Sequence, residues 1–174
     1  MNNVTKNNMQ NAKFQTVYLL LGSNLGNRQQ ILTNAIDLID EKVGVIVSQS
    51  KNYETKAWGK TDQPDFLNIA IGVTTNLMPM EVLEQTQAIE ETLGRVRIEK
   101  WGARLIDIDI IFYEQEIIDI PNRLHVPHPL VQERTFVLEP LAEITPDFVH
   151  PVLGKTVIEL LSDLKNYDFP KLIE

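Results

Sequence analysis

The chain has 174 residues, 43% of them hydrophobic and 23% charged, which is typical of one globular domain with a sizeable core. The 24 Asp and Glu residues outnumber the 16 Lys and Arg residues, and the net charge of −8 argues against a general affinity for nucleic acids or anionic membranes. The absence of cysteine excludes disulfides, thiolate catalysis and Cys-ligated metal centres, so the chemistry depends on oxygen and nitrogen groups.

The N-terminal residues differ in composition from the rest of the chain. Residues 1–13 are rich in Asn and poor in large apolar side chains, which predicts a flexible tail ahead of a single domain over 14–174. The same stretch lacks the apolar core of a secretion signal, and no run of 18 apolar residues follows it. We therefore expect a cytoplasmic protein without a membrane span.

Strands and helices are predicted from residue 16 onward. The apolar run Thr16–Leu21 predicts a strand that ends at the turn Gly22-Ser23-Asn24. Apolar residues at helical spacing then predict a helix over 28–42. Two further strands are predicted over Val45–Tyr53 and Phe66–Thr75.

The remaining predicted elements are again a strand, a helix and a strand. A long, turn-rich loop over Thr55–Asp65 precedes the last of those strands, and long loops in compact domains are often functional. A second helix is predicted over 79–93, followed by the basic segment Arg95–Arg104 and the apolar strand Leu105–Tyr113. A short helix over Thr156–Leu164 closes the chain. The order β-α-β-β-α-β predicts an α+β fold with a ferredoxin-like antiparallel sheet and helices packed on it.

Two carboxylates stand out within the last predicted strand. Asp107 and Asp109 are two residues apart, so their side chains point to the same face of the strand. Carboxylates this close repel each other unless a cation neutralises them, and hard oxygen ligands suit Mg²⁺. A solvent-facing pair on an edge strand is the alternative interpretation.

Basic residues lie directly before this acidic pair. Arg95, Arg97 and Arg104 can each donate paired hydrogen bonds to phosphate oxygens, although a solvated charged loop would have the same composition. Metal ligands beside phosphate ligands are what phosphoryl transfer requires. The loop after the first strand lacks the lysine of a P-loop, so a different phosphate-binding architecture is indicated.

Five short segments form a recognisable series. They are Gly22-Ser23-Asn24-Leu25, Asp62-Gln63-Pro64-Asp65-Phe66-Leu67-Asn68, Gly94-Arg95-Val96-Arg97, Trp101-Gly102-Ala103-Arg104-Leu105-Ile106-Asp107-Ile108-Asp109 and Val126-Pro127-His128-Pro129. In this order they resemble the 6-hydroxymethyl-7,8-dihydropterin pyrophosphokinase family. The resemblance implies a monomeric enzyme of folate biosynthesis that uses two Mg²⁺ ions to transfer pyrophosphate from ATP to the pterin hydroxymethyl group, releasing AMP.

The resemblance also implies roles for individual residues. The catalytic group would be Arg95, Arg104, Asp107 and Asp109, with the two aspartates as metal ligands. The nucleotide would contact Gln87, Glu90, Arg97, Trp101, Ile110, Arg123, His125, His128 and Arg134. The pterin would contact Thr55, Ala57, Trp58, Phe66, Asn68 and Phe136.

Within these sets, the aromatic residues have the most specific expected roles. Phe66 and Phe136 would sandwich the pterin, and Asn68 would pair with its pyrimidinone edge, whereas each phenylalanine taken alone would be expected in the core. Trp101 would close over the site when the segment Arg95–Arg104 becomes ordered on ligand binding.

Three family positions hold unusual residues, and one histidine lies outside the motifs. Trp58, His125 and Pro129 replace residues that are common in the family. His150, which precedes Pro151, is expected on the surface.

Two other functional classes are compatible with the acidic pair. One is a different Mg²⁺-dependent phosphotransferase or nucleotidyltransferase, and the other is a non-catalytic ligand-binding module of the same fold. The nucleotide product distinguishes the first class from a pyrophosphokinase, because pyrophosphoryl transfer leaves AMP. A binding module would keep its ligand affinity when Asp107 is removed.

Overall fold

The computed structural model describes residues 13–57, 62–94 and 103–167. The strands are β1 (Gln15–Ser23), β2 (Val45–Gln49), β3 (Tyr53–Thr55), β4 (Phe66–Thr75), β5 (Asp107–Tyr113), β6 (Ile118–Ile120) and β7 (Leu124–Val126). The helices are α1 (Arg28–Lys42), α2 (Pro79–Thr92), α3 (Thr135–Ile144) and α4 (Val157–Tyr167), with a 3-10 turn over Val131–Glu133.

The main sheet is antiparallel and has the order β2-β4-β1-β5, with β3 pairing to β4 beside β2. The two long strands β1 and β4 pair without a break from Gln15 opposite Thr75 to Ser23 opposite Leu67. A separate hairpin is formed by β6 and β7. This topology confirms the predicted ferredoxin-like α+β fold.

Helices cover both faces of the sheet. Leu19 and Leu21 of β1 point to the core beneath α1 and α2, whereas Leu20 points to a second core beneath α3 and α4. Since neighbouring strand residues face opposite sides, burial on both sides requires a continuous apolar run, as in β1. The two cores therefore fix the register of the central strands.

The predicted helix over 28–42 and the predicted strand Phe66–Thr75 match α1 and β4. The predicted strand Val45–Tyr53 is instead two strands, because the backbone N–H of Ser50 donates to the Ala70 carbonyl and the Ser50 hydroxyl accepts from the Ala70 N–H. These two hydrogen bonds end β2 and allow β3 to pair with the first residues of β4.

The expectation that His150 lies on the surface is wrong. Its side chain is buried, and its Nδ1 accepts hydrogen bonds from the N–H groups of Val152 and Leu153, both at 3.2 Å. The ring also packs edge-on against Phe112 of β5. The imidazole thus closes a tight turn before α4, a structural role that the sequence pattern did not indicate.

Two predictions concern residues outside the described ranges. Of residues 1–13, for which the sequence predicts a flexible tail, only Lys13 is described. The segment Arg95–Arg104, which is expected to become ordered on ligand binding, is described only at residues 103 and 104. Of the helices that the structure does describe, none has the length and apolar character needed to cross a membrane.

Candidate active site

Asp107 and Asp109 lie side by side on one face of β5. Asp107 pairs with Gly22 and Asp109 pairs with Leu20 of β1, so both carboxylates project toward the layer that contains α3. The residues between and after them, Ile108 and Ile110, point into the opposite core beneath α1 and α2. The alternation predicted from the sequence therefore brings the two carboxylates together.

Protein cations lie close to this acidic pair. Nη1 of Arg104 lies 3.0 Å from Oδ2 of Asp107. Burial, the Asp107 carboxylate and the Glu90 carboxylate raise the pKa of Asp109 to about 8, while Arg134 and Arg104 oppose the rise. A further cation beside the pair would favour the ionised form of Asp109.

The donor atoms fit Mg²⁺, which takes hard oxygen ligands and usually retains several from water or phosphate. Within residues 13–57, 62–94 and 103–167, no group of three or more His, Cys, Asp or Glu residues is arranged to hold a metal ion. Asp107 and Asp109 could each provide carboxylate oxygens to such an ion.

Arg134 and His128 approach the acidic pair from the α3 side. Arg134 is buried at the start of α3, and its guanidinium carbon lies 5.6 Å from the centre of the Phe136 ring. Burial and the charge of Arg134 lower the pKa of His128 to about 4. His128 is thus neutral near pH 7, and its Nδ1 accepts a hydrogen bond from the Leu130 N–H at 3.3 Å.

Gly22 separates the acidic pair from a buried amide. It pairs with Asp107 on one side and with Asn68 on the other, so these three residues form a row across β5, β1 and β4. A Cβ atom on Gly22 would lie 2.9 Å from Oδ1 of Asn68 and 3.5 Å from Cδ1 of Phe66. With about 5 Å between strands, the Cα atoms of Asn68 and Asp107 are roughly 10 Å apart across an open glycine.

The amide of Asn68 is held in one orientation. Its Nδ2 donates a hydrogen bond to Oγ1 of Thr55 at 2.7 Å, and the Asn68 side chain is buried. Thr55 is itself fixed by the pairing of β3 with β4, where it lies opposite Phe66. The Oδ1 atom is consequently directed over Gly22, toward the space between the amide and the carboxylates.

Asn24 connects the two sides of this region. Its Nδ2 donates to Oε1 of Gln63 and to the carbonyl of Pro64, both at 3.0 Å, in the segment that leads into β4. Its Oδ1 accepts from the backbone N–H of Arg104 at 2.9 Å, in the segment that leads into β5. A single buried side chain thus joins the residues beside Phe66 to those beside Asp107.

Residues 18–146, which include the row across the sheet and the start of α3, match the family model described as 7,8-dihydro-6-hydroxymethylpterin-pyrophosphokinase. The chain belongs to this family. As a member of the pyrophosphokinase family, it transfers pyrophosphate from ATP to 6-hydroxymethyl-7,8-dihydropterin, a step of folate biosynthesis. The function expected from the sequence is therefore confirmed.

Curated relatives agree with the family model. The chain is 46% identical to a 2-amino-4-hydroxy-6-hydroxymethyldihydropteridine pyrophosphokinase from Methylorubrum extorquens over 148 residues, which covers 84% of this chain and 92% of that protein. It is 47% identical to the Bacillus subtilis protein of the same name over 128 residues, which covers 73% of this chain and 76% of that protein.

Solved structures support the fold independently. The wild-type HPPK-DHPS protein of Plasmodium falciparum superposes on 90% of this chain with a TM-score of 0.71 at 19% sequence identity. The match covers 47% of that longer chain, so this chain spans less than half of the fusion protein.

The structure brings several predicted site residues together. Around the row across the sheet lie Thr55, Phe66, Asn68, Arg104, Asp107, Asp109, His128, Arg134 and Phe136. Ala57 is buried just after β3. The predicted residues Trp58, Arg95, Arg97 and Trp101 lie outside the described residues.

Other predicted nucleotide residues are placed differently. The side chain of Ile110 points into the core beneath α1 and α2, away from the face that carries the two carboxylates. Gln87 is exposed on α2, and Arg123 is exposed just before β7. His125 is exposed on β7, where its Nδ1 lies 2.7 Å from Oδ1 of Asp119. Glu90 is buried and contacts the backbone of β5.

Sequence reasoning assigned no role to Gly22 or Asn24, although both lie in the first recognised motif. The only local signal was a polar pair, Ser23-Asn24, directly after a buried strand. Their positions between distant segments depend on the pairing of β1 with β4 and β5, which a local pattern does not reveal.

Proposed function

We propose that the row of Asn68, Gly22 and Asp107 is where the pterin is aligned with the phosphates of ATP. The observation that supports this assignment is the pairing of Gly22 with Asn68 on one side and Asp107 on the other. A flat bicyclic ring anchored at Asn68 would cross the open glycine and direct its hydroxymethyl arm toward the carboxylates.

On the pterin side, an amide and aromatic rings would define the pocket. Asn68 would use Oδ1 to accept a hydrogen bond from the pyrimidinone edge, because Oδ1 lies over Gly22 while Nδ2 donates to Thr55. Phe66 and Phe136, both half-buried, would stack on the ring faces. Stacking would supply most of the affinity, and the amide would fix which edge of the ring faces inward.

On the phosphate side, the site combines acidic and basic groups. We assign Asp107 and Asp109 as the ligands of two Mg²⁺ ions, which when bound neutralise phosphate charge and lower the pKa of the attacking hydroxyl. Arg104 and Arg134 would bind phosphate oxygens, and the neutral His128 would donate a hydrogen bond from Nε2. The proposed loop residues Arg95, Arg97 and Trp101 would complete this side.

The reaction balances without another reactant. The hydroxymethyl oxygen forms a bond to the β-phosphorus of ATP and releases its proton to water, while the bond from the β-phosphorus to the oxygen that it shares with the α-phosphorus breaks. That electron pair remains on the α-phosphate, which leaves as AMP. Arg104 and Arg134 would stabilise charge as it moves between the phosphates.

We further propose that the enzyme is a cytoplasmic monomer with one catalytic domain over residues 14–174. One sheet with both faces covered supports a self-sufficient folding unit. Light scattering after size-exclusion chromatography tests the monomer, and a change of mass with concentration would contradict it.

Identification of the nucleotide product tests the proposed reaction. The protein is incubated with ATP and Mg²⁺, with and without 6-hydroxymethyl-7,8-dihydropterin, and the nucleotides are separated by chromatography. AMP formed only in the presence of the pterin is the expected result. ADP would indicate a simple kinase, and free pyrophosphate would indicate a nucleotidyltransferase.

The variant Asp109→Asn tests the metal assignment through two effects of opposite sign. Turnover should fall by about a thousandfold or more, because a ligand serving the transition state is lost. The metal-free protein should nevertheless become more stable at pH 8–9, because the raised pKa of Asp109 means that its ionisation destabilises the fold. Thermal unfolding in EDTA and steady-state kinetics measure the two effects.

Asp37→Asn is the matched control, because Asp37 is exposed on α1. This variant should leave both turnover and metal-free stability close to those of the unaltered protein. Normal turnover of the Asp109 variant would refute the metal assignment.

A further inference from the structure

Glu90 is a buried carboxylate on a helix that otherwise packs through small and apolar side chains. Only 4% of the residue is exposed, and its neighbours on the same face of α2 include Thr86 and Ile89. Burying a carboxylate is costly unless hydrogen bonds compensate it. At this position, Oε1 of Glu90 accepts a hydrogen bond from the backbone N–H of Ile108 at 2.7 Å.

The partner of Glu90 lies between the two acidic residues of the site. Ile108 separates Asp107 from Asp109, so the hydrogen bond fixes the peptide on which both carboxylates depend. In the described part of the chain, β5 is the last strand in the sheet order, and β1 is the strand that pairs with it. Glu90 therefore holds the edge of β5 that faces away from β1.

We infer that Glu90 is a positioning residue: it holds the β5 backbone at Ile108 so that Asp107 and Asp109 keep a fixed geometry toward their cation. This inference rests on the proposed metal-binding role of the two aspartates. Direct contact of Glu90 with the nucleotide, which the family resemblance implies, is the alternative that the experiments below distinguish from positioning.

The placement of α2 favours this role over direct contact with a ligand. Ile108 points into the core beneath α1 and α2, whereas Asp107 and Asp109 project from the opposite face of β5. Glu90 belongs to α2 and thus reaches the strand from the side opposite to the proposed ligands. Among the described residues it also does not join the two aspartates in a three-residue metal-binding group.

The hydrogen bond should matter more than the charge. A backbone N–H donating to a carboxylate forms a strong hydrogen bond, and a glutamine carbonyl at the same position can accept the same proton. Aspartate keeps the charge but is one methylene shorter, so its oxygens would not reach the Ile108 N–H. Glu90→Gln and Glu90→Asp therefore separate acceptor reach from charge, and Glu90→Met removes both.

Amide hydrogen exchange in the metal-free protein measures the positioning directly. In Glu90→Asp and Glu90→Met, the Ile108 amide should exchange at least about tenfold faster than in the unaltered protein. Glu90→Gln should keep most of the protection. The control Thr86→Val alters a buried residue one turn earlier on α2 and should leave Ile108 protected once global stability is taken into account.

Kinetics with the same variants supply the second readout. Glu90→Asp should lower kcat by about ten- to a hundredfold and raise the Mg²⁺ concentration for half-maximal rate, with ATP affinity changed by less than about threefold. Glu90→Gln should retain most of the turnover of the unaltered protein. If Glu90→Met fails to fold, the comparison of the aspartate and glutamine variants is still decisive.

Three outcomes would overturn the inference. Unchanged Ile108 exchange in Glu90→Asp would show that the hydrogen bond does not hold the strand. A loss of turnover in Glu90→Gln that is absent in Glu90→Asp would assign the effect to the charge of Glu90 and not to its hydrogen bond. A tenfold loss of ATP affinity at normal kcat would make Glu90 a nucleotide contact. The exchange result does not depend on activity, so failure of the proposed reaction would be recognised separately in the unaltered enzyme.

Discussion

Gly22 shows how one missing side chain can define a binding surface. Its backbone lies between Asn68 and Asp107, and an added Cβ would come within 2.9 Å of Oδ1 of Asn68. Close contacts of this kind displace the neighbouring side chain or cost about 1–3 kcal/mol. Here the displaced atom would be the oxygen that we assign to pterin recognition.

The variant Gly22→Ala should therefore weaken pterin binding by at least about tenfold, which corresponds to ~1.4 kcal/mol, and leave ATP affinity within about twofold. Isothermal titration with each substrate measures the two affinities. Ser23→Ala is the control, because it alters the next residue of β1, whose side chain faces the other side of the strand. A parallel fall in ATP affinity would show that Gly22 does not separate the two pockets.

At the level of elements, the sequence predicted long and strongly periodic segments well. The helix over 28–42 and the strand Phe66–Thr75 have the predicted boundaries, because each has an uninterrupted apolar pattern. The three-residue strands β6 and β7 are too short to show a period. Helix α3 contains Pro140, which weakens any helical signal even though the helix forms.

The candidate site was predictable in part for the same reason. Asp107 and Asp109 share a face because of strand alternation alone, which the sequence displays. The position of Gly22 between distant residues and the role of Glu90 at Ile108 both depend on tertiary contacts. The family resemblance identified Asn68, but its fixed orientation follows from pairing with Thr55 across two strands.

Asn24 links two connecting segments, so its substitution should affect them separately. Asn24→Asp keeps the oxygen that accepts the Arg104 N–H but replaces the donor to Gln63 and Pro64 with a second acceptor. The segment that leads into Phe66 should loosen while the Arg104 contact persists. We expect the KM for the pterin to rise by about tenfold and ATP affinity to change by less than about threefold.

Asn24→Ala removes both contacts and should lower kcat as well. Steady-state kinetics with each substrate varied in turn distinguish the two variants. Asn34→Asp on the exposed face of α1 is the control for an added negative charge. If Asn24→Asp behaves like this control, Asn24 does not link the two segments.

For the whole molecule, the dependence of stability on pH should reflect two opposing effects between pH 7 and pH 5. The pKa of His128 is lowered to about 4, mainly by burial, and burial also lowers the pKa of His150. The unfolded chain, with histidine pKa values near 6.5, then binds more protons than the folded one. Stability should be lost as the pH falls from about 6.5 toward 4.

The raised pKa of Asp109 has the opposite effect on the pH dependence of stability. Its raised pKa means that the folded, metal-free protein binds the additional proton, so its contribution to stability increases as the pH falls below about 8. The histidine effect is therefore best measured in the Asp109→Asn background and in EDTA. Urea unfolding of this variant should show a lower free energy of unfolding at pH 5 than at pH 7.

Adding His128→Gln to that background should reduce the difference between the two pH values by about 1–2 kcal/mol, since a half-buried ring is partly screened by solvent. His150→Gln should reduce this difference further. Each substitution also changes the free energy of unfolding at pH 7, but only the difference between the two pH values depends on titration of the histidines. Lys155, close to His150 in sequence but exposed, gives the control Lys155→Gln, which should leave the difference unaltered. A pH difference that persists in the variant with both histidines replaced would show that other groups govern the acid sensitivity of the fold.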